Sequence, residues 1–259
     1  MLRLERSGTA RAPITVRSYP GERARLVGIV TVVSGADHVT LSGLSIEGTG
    51  DHNTVKIYAD DVVVQNNDIS NASRGKSCMI LGSNSGSGQA ARTVVRGNRF
   101  HDCGTPEDSL EHAIYVSNTV GAKIVRNVFW NTAGYSIHLY PNARGTYVAR
   151  NVIDGGGPSA RGGVLFGGDS DYASSDNVVE QNVIAFARTH NITSNWDEAV
   201  ASGNVARRNC VWGAKESNID DSEGGFRAAN NTVAPPGFAD RQRRNYRLAP
   251  GSRCRRALG

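Results

Sequence analysis

A short pattern recurs along the chain: an apolar stretch, an Asn, then a second apolar stretch. It reads VVVQNNDIS (62–70), TVVRGNRFH (93–101), KIVRNVFWN (123–131), YVARNVIDG (147–155), NVVEQNVIA (177–185), NVARRNCVW (204–212) and RAANNTVAP (227–235). An earlier copy, HVTLSGLSI (38–46), carries Gly43 at the Asn position. The markers Gly43, Asn67, Asn98, Asn127, Asn151, Asn182, Asn209 and Asn231 lie 24, 31, 29, 24, 31, 27 and 22 residues apart. A nearly constant minimum with extra residues in some copies describes a coil of fixed size bearing variable loops, which is a solenoid. The stretches are short and rich in Val, with alternation of period two and no long helical period, so the coils are built from strands. The leucine-rich LxxLxL signature is absent. Asn suits such corners because it tolerates left-handed backbone and bonds neighbouring backbone groups. Stacked Asn side chains can also bond from rung to rung.

The stretch before each marker fixes a register. Stacking TVKIYA (54–59), CMILGS (78–83), AIYVSN (113–118), SIHLYP (136–141), GVLFGG (163–168) and NITSNW (191–196) puts Val55/Ile57, Met79/Leu81, Ile114/Val116, Ile137/Leu139 and Val164/Phe166 on one face. Alternate residues point the other way. The central outward column reads Lys56, Ile80, Tyr115, His138, Leu165, Thr193, and the next reads Tyr58, Gly82, Ser117, Tyr140, Gly167, Asn195. Tyr115 and His138 are therefore neighbours on adjacent coils, roughly 4.8 Å apart at the backbone. Tyr140 flanks them. His112 and Tyr135 mark the starts of their strands, and His112 reads as a corner residue, as does His190. The longest insertions, GSNSGSGQAAR (82–92), DCGTPEDSLE (102–111) and GGDSDYASSD (167–176), adjoin this strip and are expected to form groove walls.

Composition narrows the remaining classes. The 29 Lys and Arg against 24 Asp and Glu give a net charge of +5, partly from the tail RQRRNYRLAPGSRCRRALG. That tail lacks interleaved aromatics and the chain has no nucleic-acid motif, so no nucleic-acid partner is expected. No apolar run is long enough for a membrane helix, so no membrane partner is expected. The first residues open in mid-pattern, with strand-like alternation from Ile14, and suggest the mature or trimmed form of a secreted or periplasmic protein. Cys78, Cys103, Cys210 and Cys254 form no CxxC pair. Free buried thiols are the default expectation, with Cys210 and Cys254 the pair to test.

The repeat resembles the right-handed parallel β-helix of the pectate-lyase-like superfamily, from about Ile14 to Ala234, and NYRLAPGS (245–252) looks like the close of many such helices. The resemblance implies an all-β fold: one domain over 1–259, with about eight coils of three short strands each. An N-terminal cap and first coil would cover 1–30, the central coils 31–234, and a basic C-terminal cap 235–259. It also implies a monomer, and a polysaccharide or oligosaccharide substrate in a groove along one outer sheet.

An outward His beside Tyr suits proton abstraction next to a carboxylate, as in lyases and C5-epimerases of uronic-acid polymers. The proton at C5 is weakly acidic, so its removal needs the carboxylate neutralised, a base, and a donor for the leaving oxygen. His138 is the expected base, with Tyr115 or Tyr140 as acid and His112 as a further catalytic candidate. Lys56, Arg144 and Arg161 are candidates to bind carboxylate. Asn195 and Trp196 are candidates to contact sugar, Trp196 by stacking. Relatives with this fold include calcium-dependent lyases, and Glu107, Asp108 and Glu111 supply hard oxygen ligands in one loop. The cofactor expectation is therefore none, or Ca2+. The Asp-Pro-His motif of alginate epimerases is absent; PEDSLEH (106–112) is a loose echo of it. The Gly-His-Gly motif of polygalacturonases is absent too. Glycoside hydrolysis by Asp108, Glu111, Asp169 or Asp171 ranks lower, because no outward position in the two columns is acidic. A non-catalytic carbohydrate-binding module is the third reading. His38, His52 and His101 read as polar surface.

Overall fold

The computed structural model describes residues 1–157 and 161–258. Its chain winds into a parallel β-solenoid of three sheets, each of nine strands, with all neighbours inside these sheets parallel. Nine strands per sheet give eight steps from coil to coil. The first sheet runs from Leu2–Leu4 through Val55–Ile57, Met79–Leu81, Ile114–Val116, Tyr135–Leu139, Gly162–Gly168 and His190–Trp196 to Ser217–Asp220. The second runs from Ile14–Arg17 to Phe226–Ala229, and the third from Arg25–Val27 to Thr232–Val233. Leu2–Leu4 pairs with Val30–Val32 and forms the first rung of the first sheet.

The expected register holds. Ile80 pairs with Lys56 and Tyr115, Tyr115 with His138, His138 with Leu165, and Leu165 with Thr193. The inward series from Val55 to Phe166 is fully buried and joins Val64, Val95, Ile124, Phe100 and Phe129 in one continuous core. The rings of Phe100 and Phe129 stack at 5.1 Å between centroids.

The markers form a buried ladder in the corner between the second and third sheets. Asn127 shows the pattern. Its Oδ1 accepts from the Asn98 amide N–H at 2.9 Å and from Asn98 Nδ2 at 3.0 Å. Its Nδ2 donates to the Val95 carbonyl at 3.0 Å and to Asn151 Oδ1 at 3.1 Å. The left-handed residue is not the ladder Asn but the one before it: Asn66, Gly97, Arg126, Arg150, Gln181, Arg208 and Asn230 all have φ between 53° and 63°. This corrects the earliest copy. Gly43, with φ 70°, occupies the left-handed position, and Leu44 takes the ladder position, its N–H bonded to Asn67 Oδ1. A second ladder, between Asn177 and Asn204, has no counterpart in the sequence reading.

The thiols are not free. Cys78 is joined to Cys103, and Cys210 to Cys254. The second bond is the pair singled out above. The first ties the strand Met79–Leu81 to the end of Arg99–Cys103 on another sheet. The basic tail differs from an end cap. Phe238–Asp240 and Asn245–Leu248 form an antiparallel hairpin, followed by the short helix Arg255–Leu258. This unit lies on the outer face of the third sheet, where Tyr246 packs on Trp130 and Val152 and Cys254 on Val183 and Cys210. Arg241 forms a two-point pair with buried Asp154, at 2.8 and 2.9 Å, and Tyr246 donates to the same carboxylate. No helix among the described residues is long and apolar enough to cross a membrane.

Candidate functional site

The outward column of the first sheet opens into a cleft of about 590 Å³ lined by His112, Tyr115, Tyr135, His138, Tyr140, Arg161, His190, Thr193, Asn195, Asp220 and Glu223, with Leu110 on one wall. Alternation along the strands turns Tyr115 and His138 outward, and the parallel register sets them side by side. Their rings meet edge to face at 5.3 Å, and His138 stacks on Tyr140 at 5.0 Å.

His112 is not peripheral. The backbone N–H of Tyr135 donates to His112 Nδ1 at 3.0 Å, and His112 Nε2 lies 2.7 Å from His138 Nδ1. A backbone amide can only donate, so His112 Nδ1 carries no proton. Neutral His112 therefore holds its proton on Nε2 and gives that hydrogen bond to His138 Nδ1. His138 in turn carries its proton on Nε2, a buried atom with no hydrogen-bond partner among the described residues. Burial first, with the charge of Arg161 added, pushes His112 down to about 3. Burial, then His112 and Arg161, hold His138 well below the ordinary histidine range. Both rings are thus neutral at working pH, and the remaining nitrogen of His138 holds a proton instead of the lone pair a base requires. The base role expected for His138 is corrected on this ground.

Burial, then Tyr140 and Asp169, raise the Tyr115 hydroxyl well above the ordinary tyrosine range. Tyr140 is also raised, by burial and then by Asp197 and Asp169. Of the expected cations, only Arg161 reaches the cleft. Lys56 lies two coils from Tyr115, and Arg144 sits in a separate two-stranded ladder with Val120. Asn195 lines the cleft and faces Glu223 at 3.4 Å. Trp196 packs partly on the core, its Nε1 bonded to the Gly224 carbonyl at 3.2 Å, and does not line the cleft.

The acidic loop does not fit a calcium ion. One Glu111 oxygen accepts from the Lys76 amide, and the other from the Thr105 amide at 2.6 Å and the Thr105 hydroxyl at 3.2 Å. Asp108 caps the Leu110 amide at 2.8 Å, and Glu107 is exposed. Among the described residues no three His, Cys, Asp or Glu side chains converge as a metal site. Glu111 instead pins the loop whose Leu110 forms the cleft wall. None of the cleft's lining residues comes from the 82–92 insertion, whose Asn84 accepts from Asn142 Nδ2 at 3.3 Å.

Two features escaped the sequence reading. The column continues one coil past Thr193, which pairs with Asp220, so an acid does occupy it. The copy SNID (217–220) carries only one clear inward apolar residue, Ile219, which hid its register. Asp220 is lowered by its bond to Ser222, against a smaller opposing effect of burial. His190 bonds Ser217 Oγ at 2.8 Å through Nδ1, and its Nε2 lies 3.1 Å from Glu216 and 3.5 Å from Asp220. On the third sheet, His101 is also more than polar surface. It is clamped by Asp102 at 2.6 Å and Asp68 at 2.7 Å and stacks on Trp130 at 4.5 Å.

Comparison with known proteins agrees with this geometry. The family model described as "Right handed beta helix region" matches residues 27–233. No curated protein sequence matches the chain. Among solved structures, an alginate lyase from Paenibacillus sp. is similar with a TM-score of 0.60 at 15% identity, over 89% of this chain and 87% of that one. The pectate lyase Pel9A is similar with a TM-score of 0.61 at 12% identity, over 97% and 76%. A tailspike protein of E. coli bacteriophage HK620, solved with a pentasaccharide, gives 0.57 at 14% identity over 85% of this chain and half of that one. The chain belongs to the right-handed β-helix family and has the pectate-lyase-like form of that fold.

Proposed function

We propose that the cleft acts on a uronic-acid-containing polysaccharide by abstracting the proton at C5, as a lyase or C5-epimerase. The observation that carries this reading is the buried, unpartnered Nε2–H of neutral His138, beside Tyr115 and Tyr140 and close enough to Arg161 to feel its charge. A sugar carboxylate seated there receives one neutral donor and one cation. As the C5 proton leaves, charge grows on the carboxylate oxygens and the His138 bond strengthens, which is where a preorganised donor lowers a barrier.

The two tyrosines divide the proton work. Environments that push paired groups apart assign acid and base. Tyr115, the more buried and strongly raised, stays protonated and is the acid. Tyr140, nearer solvent, reaches the phenolate first and is the base. Tyr140 takes the C5 proton, the electron pair forms the C4–C5 double bond, the C4–O bond breaks, and Tyr115 protonates the leaving oxygen. In the epimerase branch the C4–O bond survives, Tyr140 keeps the abstracted proton, and Tyr115 gives its hydroxyl proton to the other face of C5. The similar lyases of this fold support the substrate class.

Hydrolysis is the second reading, favoured by the presence of Asp220 and Glu223 in the same cleft. The test is incubation with alginate, pectate and glycosaminoglycans in deuterated water. Unsaturated-product absorbance or deuterium at C5 supports the proposal. Reducing ends with neither signal mean hydrolysis, and no turnover of any of these polymers leaves a binding module.

A further inference from the structure

A second concave surface lies on the opposite side of the asparagine ladder from the core, where the outer face of the second sheet meets the corner into the third. It encloses about 490 Å³ and is lined by Arg96, Arg126, Arg150 and Tyr147, with Gln65 and Asn66 at one end. Three successive coils supply its arginines: Arg96 pairs with Val125, the neighbour of Arg126, and Val125 pairs with Ala149, the neighbour of Arg150. Among the described residues Arg126 and Arg150 have no carboxylate partner, and Arg96 donates only to the neutral Gln65 Oε1. The one acid nearby, Glu180, is already held by Arg207 and Arg208 at 2.7 Å each and by the Tyr147 hydroxyl at 2.6 Å.

The backbone makes this arrangement more specific. Arg126 and Arg150 stand at left-handed positions, with φ of 57° and 56°. Other copies fill the same position with Asn66, Gly97, Gln181, Asn230 or Arg208, of which Arg208 is paired with Glu180, and Gly or Asn suits it better. Arg96, Arg126 and Arg150 therefore put cations without a carboxylate partner on three successive coils, about 4.8 Å apart.

We propose that this groove binds an acidic polysaccharide lengthwise, one carboxylate per coil, at a site separate from the cleft. A uronate polymer carries one negative charge per sugar, and the coil rise is close to the length of one sugar unit. Single-stranded nucleic acid is the poorer match, since it calls for a series of stacking aromatics. Tyr147 is the only aromatic among the described residues lining the groove, and its hydroxyl is tied to Glu180. The proposal does not rest on the chemistry of the cleft, because its readout is binding.

The test is migration of the whole 259-residue chain through native gels containing polygalacturonate, dextran, or single-stranded DNA. The variants are Arg126→Asn with Arg150→Asn, and Lys56→Ala, which removes a cation outside both the groove and the cleft. Asn suits both left-handed positions, so the double variant is expected to keep the wild-type melting temperature. Retardation by polygalacturonate and not by dextran is expected. Removal of two charge contacts should weaken it about five- to thirty-fold and reduce its salt dependence, while Lys56→Ala retains most of it. Equal retardation of the double variant, an equal loss in Lys56→Ala, equal retardation by dextran, or stronger retardation by DNA would each overturn the proposal. A chain that turns over no polymer but is retarded in this pattern keeps the groove and loses only the cleft chemistry.

Discussion

Replacing His112 with Leu strips two buried partners at once. The Tyr135 amide loses its acceptor at 3.0 Å and His138 Nδ1 loses its donor at 2.7 Å. Each buried group left unpaired costs about 1–3 kcal/mol, or about 2–6 kcal/mol together. At the usual scaling for a chain of this size, the melting temperature falls by about 4–12 °C. The catalytic effect is separate. Without His112, the His138 proton is free to sit on either nitrogen and the ring loses its orientation, so kcat on the cleft's substrate falls about a hundredfold, as for loss of one preorganised donor. His112→Gln is the control. Its amide oxygen can accept from Tyr135 and its NH2 can donate to His138, so it restores most of the stability and the His138 tautomer. The assays are calorimetry and nitrogen-15 NMR of the His138 ring between pH 5 and 8. Wild type and His112→Gln should show Nδ1 unprotonated and Nε2 protonated throughout. A His138 ring that titrates near 6.5, or a Leu variant as stable and as active as wild type, refutes the tautomer chain.

Other outcomes follow from the same contacts. Because the proposed base is a phenolate and Tyr140 is raised above the usual tyrosine value of about 10, kcat/KM should climb about tenfold per pH unit from pH 7 to 9; a bell centred near pH 6.5 would speak for a histidine base. Asn127→Leu leaves the Asn98 amide and the Val95 carbonyl unpaired inside the ladder and should cost about 2–6 kcal/mol in denaturant unfolding. Reducing the disulfides opens loops set by separations of 25 and 44 residues, and the chain-entropy model gives about 3.5 and 4 kcal/mol lost, read as a lower melting temperature in dithiothreitol. Burial pulls His101 down, but its bonds to Asp102 and Asp68 outweigh that and lift it to about 9. A raised value means its stabilisation, at most about 3 kcal/mol, is fully present below pH 6.5 and is lost between pH 6.5 and 9. His101→Gln should flatten that part of the stability profile.

The sequence carried the fold because the repeat is local: two-residue alternation and one Asn per coil are visible within nine residues. The same alternation brought Tyr115, His138 and Tyr140 together without any coordinates. What it hid lay in pairings between coils. His112 sits just before its strand, and only the Tyr135 amide 23 residues later shows that its ring turns into the cleft. The carboxylate Asp68 that holds His101 is 33 residues away. The wall of the cleft depends on Glu111 binding backbone, a use of carboxylate that an acidic loop does not distinguish from a calcium site. Gly43 was misplaced by one residue because Gly can serve the left-handed position that precedes the ladder.

The most direct test of the cleft chemistry separates its two proton steps. Wild type, Tyr140→Phe and Tyr115→Phe are each incubated with a polyuronate in deuterated water, and C5 deuterium and unsaturated ends are measured together. For a lyase, the account predicts that Tyr140→Phe loses both signals, while Tyr115→Phe loses unsaturated ends but keeps C5 exchange. C5 exchange at the wild-type rate in Tyr140→Phe, or polymer cleavage that leaves saturated ends in all three, would contradict it.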